Sequence, residues 1–186
     1  MQAACCSAFE SYKRPLSLLD RAQLVSEQLY QEAAPHLANY WHTSDDYEKI
    51  VLTMLTLLER RGRAADQRYD ISDLHDYYAH SDQTLSRLDK RGLIIEHVDG
   101  YQLFNTAFGD WIAEEITDVA SDAQPYEEWL RANRSAYDKL SSAAKNEIGQ
   151  ILPKISGKYR DLIVGWVSDP RNLVTAAALL RGVLTR

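Results

Sequence analysis

Gln83, Thr84 and Arg87 are the residues whose types and spacing could do recognition chemistry. They fall within about a turn and a half of one predicted helix, Ser81 to Arg91, with Asp82 at its start. A Gln amide pairs with the edge of adenine, and an Arg guanidinium with the edge of guanine. A helix presented to a DNA major groove makes its base contacts from its N-terminal residues, where these four lie. Affinity for DNA, however, comes mostly from neutralising phosphates. On this helix Arg87, Lys90 and Arg91 stand against Asp82 and Asp89.

Other chemistry finds less footing. A phosphate-binding loop needs a glycine five residues before its Gly-Lys pair and Ser or Thr after it. At Gly157-Lys158 the following residue is Tyr159, and Leu152-Pro153 stand upstream. His75 and His80 are five apart, outside any His-Glu-x-x-His pattern. Asp66, Asp70, Asp73 and Asp76 lack the alternate-residue spacing and central glycine of a calcium loop. They read as helix caps and a solvated face. No Gly-x-Ser-x-Gly elbow occurs. Glu114-Glu115 and Glu127-Glu128 are adjacent, so on a helix they point apart. Cys5 and Cys6 form no metal spacing and read as small apolar residues in a reducing compartment. The sequence carries no expected catalytic, cofactor-binding or metal-binding residue, and the chain reads as non-enzymatic.

The elements that must position Gln83, Thr84 and Arg87 follow from patterning. Residues 71–105 read as a short helix, a turn, the helix Ser81–Arg91 and a hairpin. Ser81 is the expected N-cap, Leu85 and Leu88 the buried stripe, and Gly92 the left-handed C-terminal stop. LIIEHV and YQLFN are β-rich runs around Asp99-Gly100, a favoured two-residue turn. Helix, helix and hairpin wing make a winged helix-turn-helix. Before it, Val25, Leu29, Ala33, Leu37, Tyr40 and Trp41 predict a helix from Asp20, kinked or split at Pro35. Thr43 and Ser44 offer a fresh cap, and Tyr47, Ile50, Val51, Met54, Leu55 and Leu58 give the strongest amphipathic helix, closed by Gly62. A helix over 106–120 is expected to pack back on the wing.

Ser121–Pro125 reads as a linker and a domain boundary. Beyond it, apolar spacing predicts four short helices, a small bundle. They run from Tyr126 to Leu140, from Ala144 to Ile155 with a stop near Pro153, from Tyr159 to Val167, and after Asp169-Pro170. The fold class is thus mainly α, with one hairpin.

Net charge is −6 over 186 residues, unevenly spread. Residues 44–105 carry eight basic and twelve acidic groups, 106–124 none and five, and 125–186 ten and six. The acidic segment and the basic C-terminal part are expected either to dock on each other or to face separate partners. The winged unit has the wrong sign for a DNA footprint. Its use as a protein-contact module fits the charges better. No run of 18 apolar residues exists, and residues 1–14 lack a signal-peptide pattern, so the expected compartment is the cytoplasm.

Three stretches resemble one family. QAACCSAFESYK is similar to the last lid helix of bacterial STAND-type signalling ATPases of the AAA-like, archaeal-ATPase-related group. APHLANYWHTSDDYEKIVLTMLTLL resembles the segment leading into their winged helix, and LSRLDKRGLIIEHVDGYQLFNTAFGDWI the wing and its following helix. The resemblance spans roughly residues 2–120. It implies that 1–14 is the remnant of a lid helix, 15–120 a winged-helix domain with flanking helices, and 125–186 an appended four-helix module. It also implies a regulatory role, with the winged helix reporting nucleotide state to a partner. The partners would be the chain's own upstream nucleotide-binding domain and a further protein or a second copy. ATP or ADP and magnesium would belong only to that upstream domain, so no cofactor is expected on this chain. The alternative is a free-standing winged-helix regulator that contacts DNA through Gln83, Thr84 and Arg87.

Overall fold

The computed structural model describes residues 17–65, 81–97, 100–119 and 124–168. The expectations for residues 1–14, Cys5 and Cys6, the acidic run 66–76, the helix after Ile71, His75, His80, Asp169-Pro170 and the last helix lie outside these. The described residues are mainly helical, with eight α-helices and one two-stranded antiparallel hairpin. No described helix is long and apolar enough to cross a membrane.

The chain divides into two compact units, Met1–Thr43 and Ser44–Arg186. In the first, α1 spans Leu18–His42. Its N-cap is Ser17 rather than the expected Asp20. The Ser17 hydroxyl accepts from the Asp20 amide at 3.1 Å and donates to its carboxylate at 2.6 Å. Asp20 therefore sits in the first turn, where its charge suits the helix dipole. Of the kink or split expected at Pro35, the split does not occur, and the helix continues through it to His42. Proline removes one rung of the ladder without ending the helix here. Leu37 and Trp41 are buried, whereas Leu18 and Leu19 are each 80% exposed.

The second unit is built around α2, Asp46–Ala65. Every residue from Val51 to Leu58 is buried, including Thr53 and Thr56. A one-sided stripe does not give that pattern. It arises because α2 is flanked by α3 (Ser81–Lys90), α4 (Thr106–Thr117) and the second strand of the hairpin. Thr56 resolves its own burial by donating to the Leu52 carbonyl at 2.8 Å. The helix also runs through Gly62, which does not close it.

The hairpin pairs β1 (Ile94–His97) with β2 (Gly100–Leu103) in the register Ile94↔Leu103 to His97↔Gly100. Gly100 is therefore a paired strand residue and not part of the turn expected at Asp99-Gly100; Asp99 lies outside the described residues. The Gly100 φ of 139° still needs glycine. The Leu103 amide, at the free side of β2, donates to the Glu59 carboxylate at 2.8 Å, which ties the hairpin to α2.

Gly92 ends α3 as expected, with φ 67°. The Gly92 amide donates to the Asp89 carbonyl at 2.8 Å and the Leu93 amide to the Leu88 carbonyl at 3.0 Å. These two bonds, with Leu88 and Leu93 both buried, make a Schellman stop. An added Cβ at Gly92 meets nothing within 4 Å, so only backbone strain opposes a side chain there. Gly92→Ala is expected to cost about 1–2 kcal/mol by chemical denaturation. A neutral result would show that the chain leaves the left-handed region in solution.

The α4 helix opens on Asn105, whose side chain accepts from the Phe108 amide at 2.7 Å, and it ends at Thr117 rather than 120. After it come α5 (Tyr126–Ala132), α6 (Arg134–Asp138), α7 (Ser142–Ile148), a single 3₁₀ turn at Leu152–Lys154, and α8 (Gly157–Val167). The helix expected from Tyr126 to Leu140 is two, parted at Asn133. The one expected from Ala144 to Ile155 is α7 plus the 3₁₀ turn carrying Pro153. Residues 124–168 do not stand apart from the rest of this unit. The Ser156 amide donates to the Ile116 carbonyl at 2.9 Å.

Candidate functional site

The α3 helix sets its side chains on three faces. Leu85 and Leu88 point inward and are buried. At 100° per residue, Gln83, Ser86 and Lys90 form the outward crest, with Arg87 and Arg91 on one flank and Asp82 and Asp89 on the other. Gln83 is exposed, as a contact residue must be. Thr84 is 3% exposed and belongs to the buried side, so it is no surface contact. Arg87 is at the surface but engaged.

Its partner is Asp45, just ahead of α2. The Arg87 Nη1 donates to Asp45 Oδ2 at 2.8 Å, and the two side chains are 45% and 44% exposed. Arg91 reaches the same turn. Its Nη1 donates to Ser44 Oγ at 3.1 Å and to the Glu48 carboxylate. Asp45 and Glu48 are themselves a reciprocal capping box. The Glu48 amide donates to Asp45 Oδ1 at 2.8 Å, and the Asp45 amide to Glu48 Oε2 at 3.2 Å. Two carboxylates that cap one helix thus also hold two cations of another. The cap expected at Thr43 or Ser44 falls on Asp45, because its side chain reaches the Glu48 amide; the partners of Asp45 and Glu48 on α3, 42 and 43 residues away, have no local signal.

The other flank of α3 meets the hairpin. Glu96 faces Tyr101 across the hairpin. Burial first, then the Glu96 carboxylate, which accepts the phenol's hydrogen bond, push the Tyr101 phenol above its ordinary value; Asp89 and Asp82 add to this. Three carboxylates, those of Glu96, Asp89 and Asp82, thus act on this one phenol in the same sense. No protein family, curated protein or solved structure matches this chain.

A second polar junction joins α4 to α8. Glu115 Oε1 accepts from Lys158 Nζ at 2.6 Å and from the Tyr159 hydroxyl at 2.7 Å. This is one docking contact between the acidic segment and the basic C-terminal part. Nearby, Arg160 is fully buried. Its Nε donates to the carbonyls of Leu152 and Ile155, and its Nη1 to that of Gln124. Among the described residues, no three His, Cys, Asp or Glu side chains are grouped to hold a metal ion.

Proposed function

We propose that residues 44–117 form a winged helix used for protein contact, within a non-enzymatic regulatory module of a larger signalling NTPase. One observation carries this reading. Both arginines on the flank of α3 turn inward to Asp45 and Glu48, while the opposite flank adds Asp82 and Asp89 to Glu96. A surface of that sign repels phosphates and suits a protein partner with cationic groups. The winged unit relays the nucleotide state of an upstream domain by moving as a rigid body. Because Ile116 and Glu115 bond to Ser156, Lys158 and Tyr159, the described C-terminal helices travel with it. The movement exposes or masks their outer surface to a partner or a second copy.

The test is a labelled duplex titrated with the chain at physiological salt, alongside an ATP turnover assay. Neither binding in the micromolar range typical of non-specific DNA proteins (about 1–100 μM) nor turnover is expected. ATP hydrolysis by the chain alone would overturn the non-enzymatic reading. Duplex binding would favour the second reading, a DNA-binding regulator, which rests on the exposed Gln83 and the half-exposed Arg87. Under that reading Arg87→Ala should weaken binding to one sequence by about 1–3 kcal/mol.

A further inference from the structure

We propose that Asp45 is an autoinhibitory latch, which withholds Arg87 from the phosphate backbone of a nucleic-acid duplex. The proposal rests on the protein-contact reading and supplies its physical cause: the α3 surface is closed to polyanions by an intramolecular carboxylate.

Three features of the geometry carry it. First, Asp45 serves two partners with two different oxygens. Oδ1 accepts from the Glu48 amide and Oδ2 from Arg87 Nη1. The second task can therefore be removed without the first. Second, the pair is half exposed on both sides, so an incoming phosphate competes for Arg87 without entering the core. Third, freeing Arg87 adds a cation on the flank beside the crest. Gln83 is four residues before Arg87 and Lys90 three after it, both exposed, so all three present donors along one side of α3. The Arg91 pair is different in kind. Glu48 is nearly buried and Arg91 also holds Ser44, so that contact fastens α3 to α2 and is not part of the latch. In the wild-type chain, the Asp45 carboxylate both occupies Arg87 and repels the phosphate that would replace it.

The test compares Asp45→Asn with Asp46→Asn in the full chain, using a labelled mixed-sequence duplex at low ionic strength. Asparagine caps a helix as well as aspartate does, so Asp45→Asn keeps the Glu48 amide bond and loses only the acceptor for Arg87. Asp46→Asn removes the same charge from the neighbouring exposed position. Asp45→Asn should bind the duplex on the order of tenfold more tightly than wild type, with a log–log salt slope steeper by about 0.9 for the phosphate gained. Asp46→Asn should stay at the wild-type level, and Asp45→Asn/Arg87→Gln should return to it. Equal gains for Asp45→Asn and Asp46→Asn would reduce the effect to net charge and overturn the latch. So would no gain at all in Asp45→Asn, or a gain that survives the loss of Arg87. Wild-type binding at physiological salt sinks the protein-contact reading, whatever the variants do.

Discussion

Arg160→Ala is expected to lower unfolding stability by about 3–5 kcal/mol, a large share of the 5–15 kcal/mol typical of a domain. The Arg160 side chain is fully buried, and a buried charge survives only when its donors are met. Here they are met by main-chain oxygens. Nε donates to Leu152 O at 3.2 Å and Ile155 O at 3.0 Å, and Nη1 to Gln124 O at 2.9 Å. Both Leu152 and Ile155 bound the 3₁₀ turn, so one guanidinium closes the loop between α7 and α8 and holds the entry to α5. Truncation leaves three carbonyls short of a donor, at about 1–3 kcal/mol for each that stays dry. Arg160→Lys should recover only part of the loss, because one ammonium lacks the planar fork that reaches acceptors on two sides. The Tyr126 phenol gives an independent readout. Burial, then Tyr137, push it above its ordinary value, and the Arg160 guanidinium, 5.6 Å from its ring, pulls it down. Removing Arg160 should therefore move that phenol further up in a spectroscopic titration. Urea midpoints within about 1 kcal/mol of wild type would mean that water replaces the guanidinium at this turn.

The parts of this fold that were legible in the sequence are those fixed by local chemistry. Gly92 was readable as a stop because only a residue tolerant of φ 67° can hold the Schellman bonds. The apolar spacing from Phe104 gave the start of α4 and overran its end by a few residues; the Asn105 cap is not marked by that spacing. Two expectations failed by small shifts with local causes. Ser17 took the cap from Asp20, three residues on, because either residue can fill that role and only the chain path chooses. Gly100 is a strand residue rather than a turn residue because Asp-Gly marks a turn without fixing its register. Larger failures came from distance. The stripe read on α2 included Tyr47, which is 56% exposed, and missed Leu52 and Leu57, which are buried. Amphipathic reading assumes one buried face, and the centre of α2 is enclosed on several. Nothing local in the sequence links Ser156 to Ile116, although the charge contrast between the two segments points to contacts such as Lys158–Glu115. For the candidate site, residue type suggested that Gln83, Thr84 and Arg87 would act together. Helical phase puts Thr84 on the buried face, 100° from Leu85, and that was available from spacing alone. The Asp45 partner of Arg87 was not, because nothing local links positions 42 apart.

Leu85→Ala is expected to cost about 2–5 kcal/mol, and Gln83→Ala less than about 0.5 kcal/mol. The contrast tests the phase of α3, on which both the protein-contact reading and the latch depend. Leu85 is 1% exposed and Leu88 is fully buried, and α3 packs against α2 and β1. Removing the Leu85 side chain beyond Cβ leaves a cavity beside α2, whose residues from Val51 to Leu58 are already close-packed and cannot collapse freely into it. The cost should therefore fall toward the upper part of that range. Gln83, two positions earlier, lies on the outward crest, and its truncation removes little buried area. Denaturant midpoints at equal slope would give both numbers. If Leu85→Ala were nearly neutral, α3 would be rotated about its axis, Arg87 could not face Asp45, and Gln83 and Lys90 would not lie beside it on the outer surface. A full penalty at Leu85 with none at Gln83 would leave the pairing of α3 with the first turn of α2 as the only arrangement consistent with that phase.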